Sequence, residues 1–285
     1  MSESWAPASP FARRFSVRLD LGIGGKLAAG FLLVVTLAAI FAPIVAPQDP
    51  NALNLLDGLQ NPSWAHLLGQ DASGRDLLSR LIWGARLSLL GPCAVVALSL
   101  VVGVPFGVMA GWRGGFVDTV VSRVSDAVLA FPPLLLAIVI AAAFGAGFVT
   151  AIVAIAITYV PLLARVVRGL VLVEREKPYV EAFRCHGFGT FALVSKHVYP
   201  NVSAKVSVQA AVSFGYALID LAGLSFLGLG VQPPTSDWGS MLAEGRSSLL
   251  INPTEVIVVA LTIALTVLSI NVLGDALTAW AEKTR

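Results

Sequence analysis

The sequence predicts an all-α integral membrane protein with six transmembrane helices and both termini in the cytoplasm. Three observations predict it. Charged residues make up only 13% of the 285 residues, about half the roughly 25% usual for soluble chains. Hydrophobic residues reach 56%, and mean hydropathy is +0.82. The few charges bracket long uncharged runs rather than scattering along the chain. A soluble protein of this length needs charge to cover its surface, so a bilayer is the expected solvent. A disordered chain and a disulfide-stapled secreted domain are excluded on the same grounds. A net charge of +2 from 19 basic and 17 acidic residues is no footprint for nucleic acid.

The spans follow from the gaps between charges. The first runs from Leu27 to Gln48, 22 uncharged residues, and the second from Leu87 to Trp112, 26 residues. Ala127 to Ala164 is a run of 38, about 57 Å of helix, too long for one crossing of a ~30 Å core. It is therefore expected to hold two crossings, turning near Phe144-Gly145-Ala146-Gly147. The fifth span, roughly Val206 to Gly228, is interrupted by Asp220, and the last runs from Val256 to Gly274. No strand is expected, because lipid-facing helices account for nearly all the apolar content. No repeat of propeller, solenoid or inverted-transporter type is visible.

Orientation follows from lysine and arginine placement. With the N-terminus inside, fifteen of the 19 basic residues fall on the cytoplasmic side, among them Arg13, Arg14, Arg18 and Lys26. Only Arg75, Arg80, Arg86 and Arg246 fall outside. Seven of the fifteen cluster together, Arg165 and the six that follow it within the inside segment Val166–Lys205, the most charged part of the chain. The outside segments are Asp49–Gly84 and Leu229–Glu255. The first apolar run starts after Lys26 and is too long for a signal-peptide core, so no cleavable signal is expected.

Little in the chain reads as chemistry. Gly24-Gly25-Lys26 is followed by Leu27 and lacks both the upstream glycine and the hydroxyl residue of a phosphate-binding loop, so ATP hydrolysis by this chain is not expected. His66, His186 and His197 lack metal-ligand spacing. Cys93, in a span, and Cys185, in a loop, are too few for a disulfide framework. No catalytic residue, metal site or bound cofactor is expected.

Four features remain. Gly103, Gly107 and Gly111, spaced by four, form a stripe for close helix approach, within the chain or against another subunit. Prolines in several spans (Pro43, Pro92, Pro105, Pro132, Pro133, Pro161) bend helices, as suits a bundle surrounding a path, although membrane helices tolerate proline in any case. Asp126 lies three residues after Arg123 on one helix face and reads as a local ion pair, with a pathway role as the alternative. Asp220 has no partner within its own helix. It reads as a pathway residue, as a buried hydrogen-bonding group, or as a residue near the outer interface.

Within the inside segment, Glu181-Ala182-Phe183-Arg184-Cys185-His186-Gly187 reads as a short amphipathic helix ended by a glycine. A second helical piece follows, and then Pro200 before the fifth span. Such a helix is a handle for a soluble partner in helix-in-groove fashion, or else an ordinary solvated connection.

This loop resembles the Glu-Ala-Ala motif of ABC-transporter permease subunits. Glu181, Ala182, Gly187 and Pro200 match at the family's spacing, while Phe183 replaces an alanine and Tyr199 a leucine. His197 stands at the motif's apolar position, as is usual in the dipeptide, oligopeptide and nickel branch. Further segments are similar to that branch: Gly74-Arg75-Asp76-Leu77-Leu78-Ser79-Arg80, Gly111-Trp112-Arg113-Gly114-Gly115, Phe131-Pro132-Pro133, and Leu224-Ser225-Phe226-Leu227-Gly228-Leu229-Gly230 ahead of Asp237-Trp238-Gly239. The resemblance covers roughly residues 25–278 and points to the second of two permeases in such a system.

It implies a type I importer permease fold in a prokaryotic inner membrane, with a tail, first helix and outer segment over 1–83. A five-helix permease core would occupy 84–278, carrying a coupling loop over 174–201, and a C-terminal tail would follow over 279–285. It implies a homologous second permease, two cytoplasmic ATPases that hold the ATP and Mg²⁺, and an extracytoplasmic binding protein. Glu181, Ala182, Phe183, Gly187, His197 and Pro200 would form the ATPase-docking surface. Short peptides are the expected cargo, with nickel or another small solute as the alternative. A stand-alone transporter using Asp220 as a proton site fits less well, because no inverted repeat is present and the charged loop would go unexplained.

Overall fold

The computed structural model describes residues 22–54 and 57–283; Arg13, Arg14, Arg18 and Arg285 lie outside these. The described residues are mainly helical: α1 (Ile23–Ile40), α2 (Ala42–Val45), α3 (Leu77–Arg113), α4 (Gly115–Leu129), α5 (Pro133–Phe144), α6 (Phe148–Arg175), α7 (Pro178–Cys185), α8 (Thr190–Leu193), α9 (Tyr199–Phe226), α10 (Trp238–Gly245) and α11 (Thr254–Lys283). A π-helical turn, Val194–Val198, joins α8 to α9. Among the described residues the only extended pairing is an isolated bridge between Gln70 and Asp76.

Among the described residues, five helical stretches are long and apolar enough to cross a membrane, and a sixth crossing requires α4 and α5 together, bent by 83°. This corrects the expectation of an unbroken third span beginning at Ala127. The chain breaks at Ala130-Phe131-Pro132 because residues preceding a proline are pushed out of the helical region, and two prolines follow one another here. The 12 residues of α5 extend about 18 Å, too short to cross alone. The turn expected at Phe144–Gly147 is present, with Gly145 at φ +98°.

Other boundaries shift for local reasons. α1 stops at Ile40 rather than reaching Gln48, because Pro43 would clash with the carbonyl one turn earlier in a continuous helix. α3 begins ten residues before Leu87, capped by Asp76, whose Oδ2 accepts the Ser79 N–H at 2.8 Å. Arg80 and Arg86 therefore sit on a helix that projects beyond the apolar run. α9 starts at Tyr199, seven residues before the apolar stretch.

The glycine stripe packs inside this chain, between α3 and α6. A Cβ on Gly103 would lie 2.9 Å from the Val160 carbonyl oxygen, one on Gly107 2.5 Å from that of Ala164, and one on Gly111 2.8 Å from that of Arg168. Backbones this close leave no room for any side chain, which is the small-residue packing of membrane helices. Elsewhere α1, α3 and α11 leave Leu33, Val101 and Leu261 outward and exposed, as a lipid-facing surface requires.

Candidate functional site

The loop between α6 and α9 is built around one buried carboxylate. Glu174, in the last turn of α6, is 3% exposed. The Tyr179 hydroxyl donates to its Oε1 at 2.8 Å, Asn201 Nδ2 donates to the same oxygen at 3.1 Å, and Lys177 Nζ lies 2.7 Å from Oε2. Tyr179 belongs to α7 and Asn201 to α9, so one side chain ties three helices together. Burial pushes the Tyr179 hydroxyl above its ordinary range, which keeps it a donor.

α7 starts with Pro178 at its first position, where the missing N–H costs nothing. It ends in a Schellman motif. The Gly187 N–H donates to the Arg184 carbonyl at 3.0 Å and the Phe188 N–H to the Phe183 carbonyl at 3.1 Å, with Gly187 at φ +77°. The apolar contact that accompanies this motif is present, as the Phe183 and Phe188 rings meet edge-on at 4.9 Å. His197 stacks on Phe183 at 4.2 Å, and Tyr179 meets Phe183 edge-on at 6.3 Å. Val180, Leu193 and Val198 are fully or almost fully buried beneath, against Val167, Val171 and Val202.

The loop is therefore a packed unit with an exposed outer face. Glu181, Ala182, Arg184 and Gly187 are exposed, and a Cβ on Gly187 would meet nothing within 4 Å. Two contacts bind the unit to the end of α3. The Arg184 guanidinium lies 4.8 Å over the Trp112 ring, and Arg175 Nη1 donates to the Gly111 and Trp112 carbonyls at 3.0 and 3.2 Å. These groups connect α7 to α3, α6 and α9.

Residues 103–285 match the family described as the binding-protein-dependent transport system inner membrane component. The chain belongs to this family. It is 44% identical to the di/tripeptide transport system permease protein DppC of Pseudomonas aeruginosa, over 90% of this chain and 85% of that one. It is 38% identical to the glutathione transport system permease protein GsiD of Pectobacterium atrosepticum, over 95% and 89%. Its fold matches a chain from inward-facing conformations of the MetNI methionine ABC transporter, with a TM-score of 0.60 at 19% identity, over 73% of this chain and 98% of that one. The protein is thus a multi-pass inner-membrane permease with the fold of an ABC importer subunit.

Within this permease the six expected loop residues are brought together, but not on one surface. Glu181 and Ala182 face outward, Phe183 and His197 face each other, Gly187 turns the chain, and Pro200 opens α9. Phe183 makes the Schellman contact with Phe188 and carries the His197 stack, neither of which an alanine side chain could supply.

Of the two intramembrane acids, Asp126 takes a different partner from the one expected, and Asp220 finds one outside its own helix. Asp126 does not pair with Arg123; its Oδ1 accepts from Arg165 Nη2 at 2.5 Å, joining α4 to α6. Both side chains are at least half exposed. Asp118 is held by both Arg168 Nε and Nη2, the latter at 2.7 Å. The arginines of α6 thus reach across to α4 and outcompete its own Arg123. Asp220 accepts from the Tyr159 hydroxyl of α6 at 2.9 Å, so its partner lies outside its helix. Tyr216, one turn earlier on α9, is 61% exposed.

Sequence reasoning missed an ion network at the opposite end of the molecule. Asp71 Oδ2 accepts from Arg75 Nε at 2.6 Å and from Arg80 Nη1 at 2.5 Å, and Arg80 Nη1 also reaches Glu244 Oε2 at 2.6 Å. Arg75 also pairs with Glu244. Asp71, Glu244 and Glu255 come within 4.8 Å of one another, but two guanidinium groups already occupy the space between the first two. The network ties the segment before α3 to α10. Asp76 anchors the same region through His66 Nδ1 at 3.0 Å, and Trp238 Nε1 donates to the Leu81 carbonyl at 3.1 Å. The short-range spacing of Asp71, Arg75 and Arg80 was the available signal; the partner Glu244 is more than 160 residues away.

Proposed function

We propose that this permease forms half of the translocation pathway of an ATP-driven importer for short peptides. The Glu181–Gly187 helix would be its docking site for a cytoplasmic ATPase. The packed loop with an exposed α7 carries this reading. It presents a short helix outward and links it rigidly to α3, α6 and α9 through Glu174, Arg184 and Arg175. The names of the two relatives above, one a di/tripeptide and the other a glutathione permease, favour a peptide cargo.

Both termini and this loop then lie on the cytoplasmic side, in line with the excess of basic residues there. A second permease completes the path, two ATPases bind the ATP and Mg²⁺, and an extracytoplasmic binding protein delivers the peptide. This chain binds no cofactor of its own and catalyses no reaction. Asp220 would face the path, beside Tyr159 and Tyr216, where a carboxylate can meet the ammonium end of a peptide. Asp126, on an exposed pair with Arg165, fits a place at its cytoplasmic mouth.

Co-purification tests the reading. A tagged permease expressed with its genomic neighbours should bring down an ATPase, and the complex in vesicles should take up dipeptide only with ATP and binding protein. Gly187→Val should abolish uptake while leaving membrane insertion intact. Asp220→Asn should lower uptake with the ATPase still bound. Absence of any ATPase in the wild-type pull-down would overturn the proposal.

A further inference from the structure

Three cavities lie along α3 and share lining residues, the lower two against the α8–α9 segment and the uppermost also walled by α1 and α11. The one nearest the coupling loop is about 480 Å³ and is lined by Val104, Val108, Trp112 and Arg113 of α3 together with Phe191 and Val194. It shares Val104, Pro105 and Tyr199 with a second cavity of about 450 Å³. The second shares Leu100 and Ala210 with a third of about 840 Å³, which reaches up to Arg86. The result is an apolar groove open to the surroundings, with an arginine at each end. Arg86 and Arg113 are 27 residues apart on one helix, about 40 Å, which equals a bilayer with its headgroups. A tryptophan marks each level: Trp83 lies under the Arg86 guanidinium at 5.1 Å, and Trp112 under that of Arg184 at 4.8 Å.

The Arg113 end asks for an anion attached to an apolar body. Arg113 is exposed and has no ion pair among the described residues. The acids of α4 are committed elsewhere, Asp118 to Arg168 and Asp126 to Arg165. Arg184, a second cation, lies 4.8 Å over the Trp112 ring. Beside these charges the Phe191 ring is 86% exposed at the mouth of the apolar cavity. A transmembrane helix filling the groove would want small residues for close approach, but the stripe on α3 that offers them is already spent on α6. The walls here are branched side chains, which suit a flexible acyl chain.

We propose that this end of the groove is a binding site for an anionic phospholipid, with its phosphate on Arg113 and an acyl chain running along Val108 and Val104 toward Leu100. Its headgroup lies against the Trp112–Arg184 contact that ties α7 to α3. The lipid is thereby part of the joint through which α7 moves the bundle.

Native mass spectrometry of the permease in its intact complex, equilibrated with phosphatidylglycerol, reads the site directly. Wild type and Arg113→Lys should retain one tightly held lipid that Arg113→Gln loses, with at least a fivefold drop in occupancy. Val108→Trp, which fills the cavity without touching the charge, should lose it as well. ATP hydrolysis in vesicles of zwitterionic lipid should rise on adding phosphatidylglycerol for wild type and not for Arg113→Gln. Equal lipid occupancy in wild type and Arg113→Gln would overturn the proposal. So would a crosslink to the second permease from a photoreactive amino acid placed at Met109, because a protein would then occupy the groove.

Discussion

The rings of Phe183 and His197 stack with 4.2 Å between centroids and 26° between planes, one from the end of α7 and the other from the π-helical turn before α9. This contact joins the two halves of the α6–α9 loop across the glycine break. Aromatic pairs of this kind are worth about 0.5–1.5 kcal/mol beyond the area they bury. Phe183→Ala and His197→Ala should each weaken binding of the partner ATPase, and the double variant should lose less than the two losses added together. Titrating ATPase against the four permeases in detergent gives the coupling energy. Strict additivity would show that the stack carries nothing.

Gly187 needs its residue type for conformation and not for space. Its φ is +77° and a Cβ would meet nothing within 4 Å. A left-handed residue with a Cβ costs roughly 1–2 kcal/mol, least for asparagine. Gly187→Asn should therefore keep most ATP-coupled uptake, Gly187→Ala should lose several-fold, and Gly187→Val nearly all. The order Asn, Ala, Val distinguishes strain in the turn from a clash with the partner's surface, which would follow side-chain size and place Ala above Asn.

Arg80 is fully buried and holds Asp71 and Glu244 together, whereas Arg165 and Asp126 are 50% and 59% exposed. Removing one member of a buried pair strands a charge, at a cost of about 3–5 kcal/mol. Exposed pairs contribute about 0–1 kcal/mol. Arg80→Met should lower the thermal unfolding midpoint sharply, and adding Asp71→Asn should restore part of the loss. Arg165→Ala should leave it within error. If the two single variants melt alike, the network is not what holds the outer segment to α10.

The gaps between charges made most of the spans legible, because lipid imposes length and composition on any helix that crosses it. The α6–α9 loop was legible as helix, glycine and helix because a helix stop is a local matter. Where Phe183 points was not, since the ring answers to Phe188 and His197, and its contact with His197 spans the glycine break. The break at Phe131-Pro132 carried a plain signal, two consecutive prolines, that the uncharged run around it overrode. Asp126 was assigned to Arg123, its neighbour on the same helix, but Arg165 is presented by another helix at the right height. Arg80 looked like an ordinary outer charge for the same reason: burial of its side chain depends on α10, which is remote in sequence.

The α3–α6 contact offers a sharper test of close backbone packing than any charge. At Gly107 a Cβ would sit 2.5 Å from the Ala164 carbonyl oxygen and 2.8 Å from Val167 Cβ, both on groups that cannot swing away. Even alanine there must push α3 from α6, and overpacking of this kind costs about 1–3 kcal/mol. Gly30 on α1 is the control, with nothing within 4 Å of its Cβ position. Replacing a helical glycine by alanine in open space favours the helix by about 0.5–1 kcal/mol. Gly107→Ala should therefore lower the unfolding midpoint of the detergent-solubilised permease, and Gly30→Ala should hold or raise it. Because α6 also carries Glu174, the displacement at Gly107 should weaken ATPase binding, an effect Gly30→Ala should not have. A permease in which Gly107→Ala is as stable as wild type and still binds its ATPase would mean that α3 and α6 do not approach this closely.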